Sequence, residues 1–179
     1  MEQQHNRTGR MLTIKKVPFH ILLTCTVAGL ISFEVNHVTF ATPTAQITPD
    51  QANVTLEFEK SEYGMERNFP LYEQGPIRYF SAGVGKAERK PQYPAFPLKL
   101  IFANDTGSFL AFISVEIRHQ DGSLAADIPA KHVTGPWLFV DLEPGVYEIV
   151  ATNKNGQKVT KHVPIKKDDP LSLPLYWNS

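Results

Sequence analysis

The sequence predicts an all-β sandwich. Three observations carry this: apolar residues alternate at period two, each alternating run ends in turn residues, and the runs recur about 8–12 residues apart. The densest example is residues 141–165, DLEPGVYEIVATNKNGQKVTKHVPI. That stretch reads as two strand-turn-strand units back to back.

The elements follow in chain order. Residues 42–52 are polar, carry Pro43 and Pro49, and are expected to be mobile rather than stranded. Residues 53–60 alternate, with Val54, Leu56 and Phe58 on one face, and predict a strand added to the sandwich or pairing outside it. Residues 61–74 are irregular, and residues 76–80 are read as extended. Gly83, Val84 and Gly85 turn the chain. Residues 86–90 can begin a short helix, which Pro91, Pro94 and Pro97 end.

From residue 97 the alternation is regular. Leu98, Leu100 and Phe102 share one face of a strand, and residues 104–107 (NDTG) turn it. A strand is predicted over 109–119, with Ile113, Val115 and Ile117 inward. Asp121 and Gly122 then turn into a short strand over 123–127, and residues 130–133 are a further candidate strand. Leu138, Val140 and Leu142 alternate with Trp137, Phe139 and Asp141. Glu143, Pro144 and Gly145 stop that strand, because proline presets φ and glycine accepts positive φ. Residues 146–152 are rich in β-branched and aromatic side chains, Asn155-Gly156 is a hairpin signal, and residues 157–165 return. Pro164 cannot donate a ladder hydrogen bond, which puts this last strand at an edge or near its end. The tail at 171–177, LSLPLYW, is apolar and needs something to pack against.

Residues 97–165 resemble a carboxypeptidase regulatory-like domain. The resemblance rests on residues 111–117 (AFISVEI) followed by Asp121-Gly122, and on Leu142-Glu143-Pro144-Gly145-Val146-Tyr147. Tyr79 to Glu88 and Gly135-Pro136-Trp137 further resemble small exported bacterial proteins that carry such a domain alone. The resemblance implies a seven-stranded transthyretin-like, Ig-like β-sandwich, here with an extra N-terminal strand segment. In carboxypeptidases the domain is an accessory to a zinc catalytic domain. Nothing in this chain resembles that catalytic domain, so peptidase activity is not implied. The expected organisation is a signal peptide over 1–41, an N-terminal extension over 42–92, and the sandwich over 93–179.

The address is read from the N-terminus. Arg7, Arg10, Lys15 and Lys16 precede an apolar run at 21–33, and Thr39-Phe40-Ala41 offers a cleavage site. This is the pattern of a secretory signal peptide, with Met1 or Met11 as the start and an uncleaved anchor as the alternative. The apolar run is shorter than the ~20 residues that span a bilayer. The single cysteine, Cys25, lies inside it, so the mature chain is expected to have no disulfide and to depend on its core. Cleavage removes four of 18 basic and two of 18 acidic residues, leaving 14 against 16. That balance, with no basic patch, speaks against nucleic-acid partners. Periplasm or secretion is the expected location.

A search for chemistry finds no catalytic constellation. Glycine near Lys86 fails as a phosphate loop, since Phe80 stands where a Walker glycine would, and Glu88 stands where a dinucleotide fingerprint needs its third glycine. Three histidines follow residue 41: His119, His132 and His162. Only His119 and Asp121 are closely spaced, and that reads more simply as a turn aspartate beside a histidine than as a metal site. No Gly-x-Ser-x-Gly surrounds Ser81. The C-terminal Tyr176-Trp177-Asn178-Ser179 shares only its first and last residues with the Tyr-Arg-Gly-Ser ending of transthyretin-like hydroxyisourate hydrolases. The missing arginine removes the cation for an anionic ring.

The candidates that remain are surface residues. If the aliphatic set of residues 137–142 faces the core, Trp137 and Phe139 lie on the outer face as a partner or sugar site. The favoured alternative is that the strand at 53–60 or the tail at 171–177 covers them. Gly83, Gly85, Lys86 and Glu88 complete the candidate binding surface. The expected function is an exported, non-catalytic β-sandwich acting as a binding or structural module in the cell envelope, with protein or glycan partners and no cofactor. One alternative is a small hydrolase or ligand-binding enzyme on the same fold, which would need His119, His132, Arg118 or Asp121 to converge. Another is an inhibitor or accessory subunit of an envelope enzyme, acting through residues 83–90.

Overall fold

Twelve strands in three sheets account for most of the described residues, 42–58 and 66–178 of the computed structural model. In chain order they are β1 (Ala45–Ile47), β2 (Asn53–Glu57), β3 (Glu66–Pro70), β4 (Tyr72–Gln74), β5 (Ile77–Ala82), β6 (Leu98–Asn104), β7 (Ser114–His119), β8 (Leu124–Ile128), β9 (Trp137–Asp141), β10 (Gly145–Thr152), β11 (Lys158–Ile165) and β12 (Leu171–Trp177). Among the described residues one 3₁₀ turn, Ala130–His132, is the helical exception. The predicted signal peptide at 1–41 lies outside the described residues, as do residues 59–65. No helix among the described residues is long and apolar enough to cross a membrane.

The central sheet has the order β12-β6-β9-β5-β4 and is buried on both faces. Period-two alternation decides what each face holds. On β9, Leu138 and Val140 point one way while Trp137 and Phe139 point the other. On β5, Ile77 and Tyr79 join the first set, and Phe80 and Ala82 join the second. The first face packs against the sheet β11-β10-β7-β8, whose Val115, Ile117, Ile149 and Ala151 complete a largely aliphatic core. The second face packs under the sheet β1-β2-β3, which contributes Ala45, Val54, Leu56 and Phe69 to a second, aromatic core. The chain is therefore all-β and layered, with sandwich packing at its centre.

Several expectations are corrected. Residues 42–52 are not free: β1 pairs with β2, and the Ala45 amide donates to the Gln92 carbonyl at 2.7 Å. The stretch read as irregular contains β3 and β4. Strand β5 lies inside the central sheet between β9 and β4, so that sheet recruits chain from before residue 93. Residues 86–90 make turns rather than a helix. The candidate strand at 130–133 is instead the 3₁₀ turn Ala130–His132, capped by Val133. The predicted strand at 109–119 starts only at Ser114, because Phe112 adopts a left-handed φ of 58° that no strand accommodates. The tail runs as β12, parallel to β6, with Leu175 and Trp177 in the aliphatic core. Strand β11 is an edge strand, as Pro164 predicts.

Candidate functional site

The predicted surface residues are mostly interior. Trp137 and Phe139 are 9% and 6% exposed. Phe80 stacks on Phe139 with centroids 4.6 Å apart, and Tyr93 meets both Phe139 and Trp137. The cover is β1-β2-β3, including the strand at 53–57 that the alternation marked. Lys99 reaches over what remains, its Nζ 3.3 Å from the Trp137 ring centroid, and burial pulls its pKa down. Such an ammonium shields the indole while keeping its own head near water.

The segment 83–90 folds on itself. The buried Glu88 carboxylate accepts from the Gly83 amide (3.0 Å) and the Val84 amide (2.9 Å), and pairs with Arg67 at 3.2 Å. Arg89 donates to the Gly83 and Val84 carbonyls. Two neighbouring side chains thus satisfy both polarities of one turn. Gly83 has φ 93°, and a Cβ there would stand 2.9 Å from the Trp137 ring. Gly83 and Glu88 therefore serve the packing of Trp137, while Gly85 is partly exposed and Lys86 is exposed.

The histidines do not converge. His119 packs on Tyr147, with centroids 5.2 Å apart. His132 stacks on Tyr72 at 3.8 Å, and its Nδ1 shares a 2.9 Å hydrogen bond with the Tyr79 hydroxyl. Burial, then the charge of Lys131, lowers the His132 pKa. His162 is exposed beside Glu148. Arg118 pairs with Glu116, and Asp121 accepts from Ser123 within its own turn, which lowers its pKa. No hydrogen bond or ring contact joins His119 to His132. Among the described residues no group of three His, Cys, Asp or Glu could hold a metal ion.

A different site emerges at one end of the sandwich. A cleft of about 360 Å³ opens between the β6–β7 loop, the β10–β11 turn and the chain beyond β12. That volume is within the ~300–1,000 Å³ usual for small-ligand sites. Its apolar wall includes Phe109 and Phe112, 49% and 57% exposed. Phe112 is held in its left-handed conformation by its amide, which donates to the Val133 carbonyl at 2.7 Å, and by Ile113, which is buried in the core. Bulky residues seldom adopt that φ, and such strain concentrates at binding and switch sites. Arg89 lies over the Phe109 ring, 4.9 Å from its centroid, so the segment 83–90 does reach this site, through a residue the sequence reading did not single out.

The polar wall is made of amides. Asn104 closes its loop by accepting from the Ser108 amide at 2.7 Å. Asn153 Oδ1 accepts from the Asn155 and Gln157 amides, and its Nδ2 donates to Gln157 Oε1 at 2.7 Å. The Trp177 indole donates to the Gln157 carbonyl at 3.0 Å. Lys154 carries the one charge among the side chains lining the cleft.

Comparison with known proteins gives no match: no family model, no curated protein and no solved structure matches the chain. The site therefore has to be judged on its own chemistry. One sequence signal could have found it. Residues 109–113, FLAFI, are five apolar residues in a row. Unlike an alternating strand, such a run cannot hide every side chain on one face, and here it leaves Phe109 and Phe112 exposed.

Proposed function

We propose that this chain is an exported, non-catalytic β-sandwich that acts as a binding module in the cell envelope, and that it holds its ligand in the cleft walled by Phe109 and Phe112. The observation that carries the reading is Phe112: a large apolar ring kept in water, on a strained backbone, beside a cleft of small-ligand size. On stability grounds alone another residue would be better there. The transthyretin-like character belongs to this proposal. It is supported by the two-sheet core and by the Leu142–Tyr147 turn, where the Tyr147 hydroxyl donates to the Glu143 carbonyl at 3.0 Å. Export is supported by the charged, then apolar, then small-residue pattern of residues 1–41.

Two measurements test it. A fragment library screened by ¹H–¹⁵N NMR against the chain lacking residues 1–41 should shift amides of residues 109–113 and 153–157. Shifts that gather elsewhere, or none at all, would overturn the cleft as the site. The full chain expressed in a bacterial host should be recovered from the periplasm with Thr42 at its N-terminus. Recovery of the uncut chain from the cytoplasm would overturn export.

A further inference from the structure

We infer that the ligand is a neutral saccharide, whose ring lies on Phe112 and whose oxygens accept hydrogen bonds from the side-chain amides of Asn104 and Gln157. The inference rests on the cleft being the binding site and adds the chemistry of what it binds.

The orientation of both amides follows from their partners. A backbone N–H can only donate, so the Asn153 atom facing the Asn155 and Gln157 amides is its oxygen. The other terminal atom of Asn153 is then the NH₂ group. Since that group donates at 2.7 Å, the Gln157 atom it meets is an oxygen. That makes the other terminal atom of Gln157 its NH₂ group, which has no acceptor among the described residues. The same logic holds at Asn104: its oxygen accepts from the Ser108 amide and the Thr106 hydroxyl, which leaves Nδ2 uncommitted. Each amide is clamped by its oxygen and offers its NH₂ group. Donors already oriented this way need no further ordering when a ligand arrives.

The wall thus combines two exposed aromatic rings with two fixed N–H donors. A sugar ring has the matching surface, with an apolar face of C–H groups rimmed by acceptor oxygens. Among the described residues no carboxylate side chain lines the cleft to attract a cation, and two cations, Lys154 in the wall and Arg89 over Phe109, are few for a polyanion. A peptide strand would need a row of alternating backbone donors and acceptors along a sheet edge. These walls are a loop and a turn, not a sheet edge, and several of their amides are already bonded: Leu110 donates to the Phe102 carbonyl, Phe112 to Val133 and Gly156 to Asn153.

The test uses the chain lacking residues 1–41 and three neutral disaccharides, cellobiose, maltose and N,N′-diacetylchitobiose, titrated by ¹H–¹⁵N NMR, with tetraalanine as the peptide control. At least one disaccharide should shift residues 109–113 and 153–157, and tetraalanine should not. The deciding variants are Gln157→Glu and Asn104→Asp. Each keeps the oxygen that closes its turn and replaces only the free donor with an acceptor, so the fold survives. Each should weaken saccharide binding about tenfold, the worth of one hydrogen bond. Phe112→Gly should weaken it further while leaving the remaining amide spectrum in place. The inference fails if no disaccharide binds in the cleft, if tetraalanine binds there instead, or if Gln157→Glu and Asn104→Asp bind as well as the parent chain. If library fragments enter the cleft and all three sugars do not, the saccharide assignment alone is lost and the binding module stands.

Discussion

Two pairs of aromatic residues set the terms for this molecule. Trp137 and Phe139 sit on a regular strand at the centre of the fold. Phe109 and Phe112 sit in a loop at its end. By sequence the first pair is the better surface candidate, because alternation turns it away from the aliphatic core. In the fold it is the buried pair, roofed by Val54, Leu56 and Phe69, and the loop pair is wet. A flat aromatic sheet face is a surface that another layer can cover, and here three short strands cover it. A loop with a left-handed phenylalanine offers no flat face, and none of the described strands closes over it.

The largest effect expected from this contrast is on stability. Phe139→Ala should cost about 3–5 kcal/mol, as for other large-to-small changes at buried aromatic positions. Phe109→Ala and Phe112→Ala should each cost under about 1 kcal/mol, since the rings they remove are half exposed. Urea denaturation of the three variants decides it. Comparable losses at positions 112 and 139 would mean that the loop ring is structural, and would undo the distinction between the pairs.

A second effect, somewhat smaller, separates the two strained backbones. Gly83→Ala forces a side chain onto φ 93° and drives its Cβ to 2.9 Å from the Trp137 ring. Left-handed strain of roughly 1–2 kcal/mol adds to about 1–3 kcal/mol of overpacking, so a loss near 3 kcal/mol is expected. Phe112→Gly runs the other way. It relieves the same kind of strain and should leave stability unchanged or raise it by up to ~1 kcal/mol. Glycine at one site is required by packing, and phenylalanine at the other is retained against local stability. A clear loss of stability in Phe112→Gly would remove the argument that the ring is kept for binding.

How much of this could be read beforehand depended on regularity. The strands after residue 97 were legible because Leu98, Leu100, Val115, Ile117, Leu138 and Val140 keep strict alternation, and all six are buried. The layer β1-β2-β3 was half legible. Val54 and Leu56 alternate, but Glu66–Pro70 (ERNFP) has one buried residue, Phe69, and no period to detect. Residues 109–113 lost their strand to the φ of Phe112, which is set by the Phe112–Val133 hydrogen bond and not by local propensity. Beyond the apolar run at 109–113 the cleft was illegible for the same reason: Asn104 and Phe112 come from the end of β6 and the β6–β7 loop, Gln157 from the β10–β11 turn, and only the sandwich brings the two regions together.

The smallest expected effect comes from a third aromatic arrangement, between wet and buried. Tyr72 and His132 are both partly exposed and stack face to face, with ring planes 3° apart. Burial first, and the Lys131 charge second, hold the His132 pKa below its ordinary 6.5. The unfolded chain then binds a proton at His132 more readily than the folded one. Stability from this group is complete above pH 6.5 and is lost as pH falls from there toward the lowered folded pKa. The Tyr79 hydroxyl can bond to Nδ1 in either protonation state, because a hydroxyl both donates and accepts. Melting temperatures between pH 8 and pH 5 should therefore fall more steeply for the parent chain than for His132→Gln, with the curves parting below pH 6.5. Parallel curves would mean that the imidazole is effectively in water, and Tyr72–His132 would then join Phe109 and Phe112 on the wet side of the comparison.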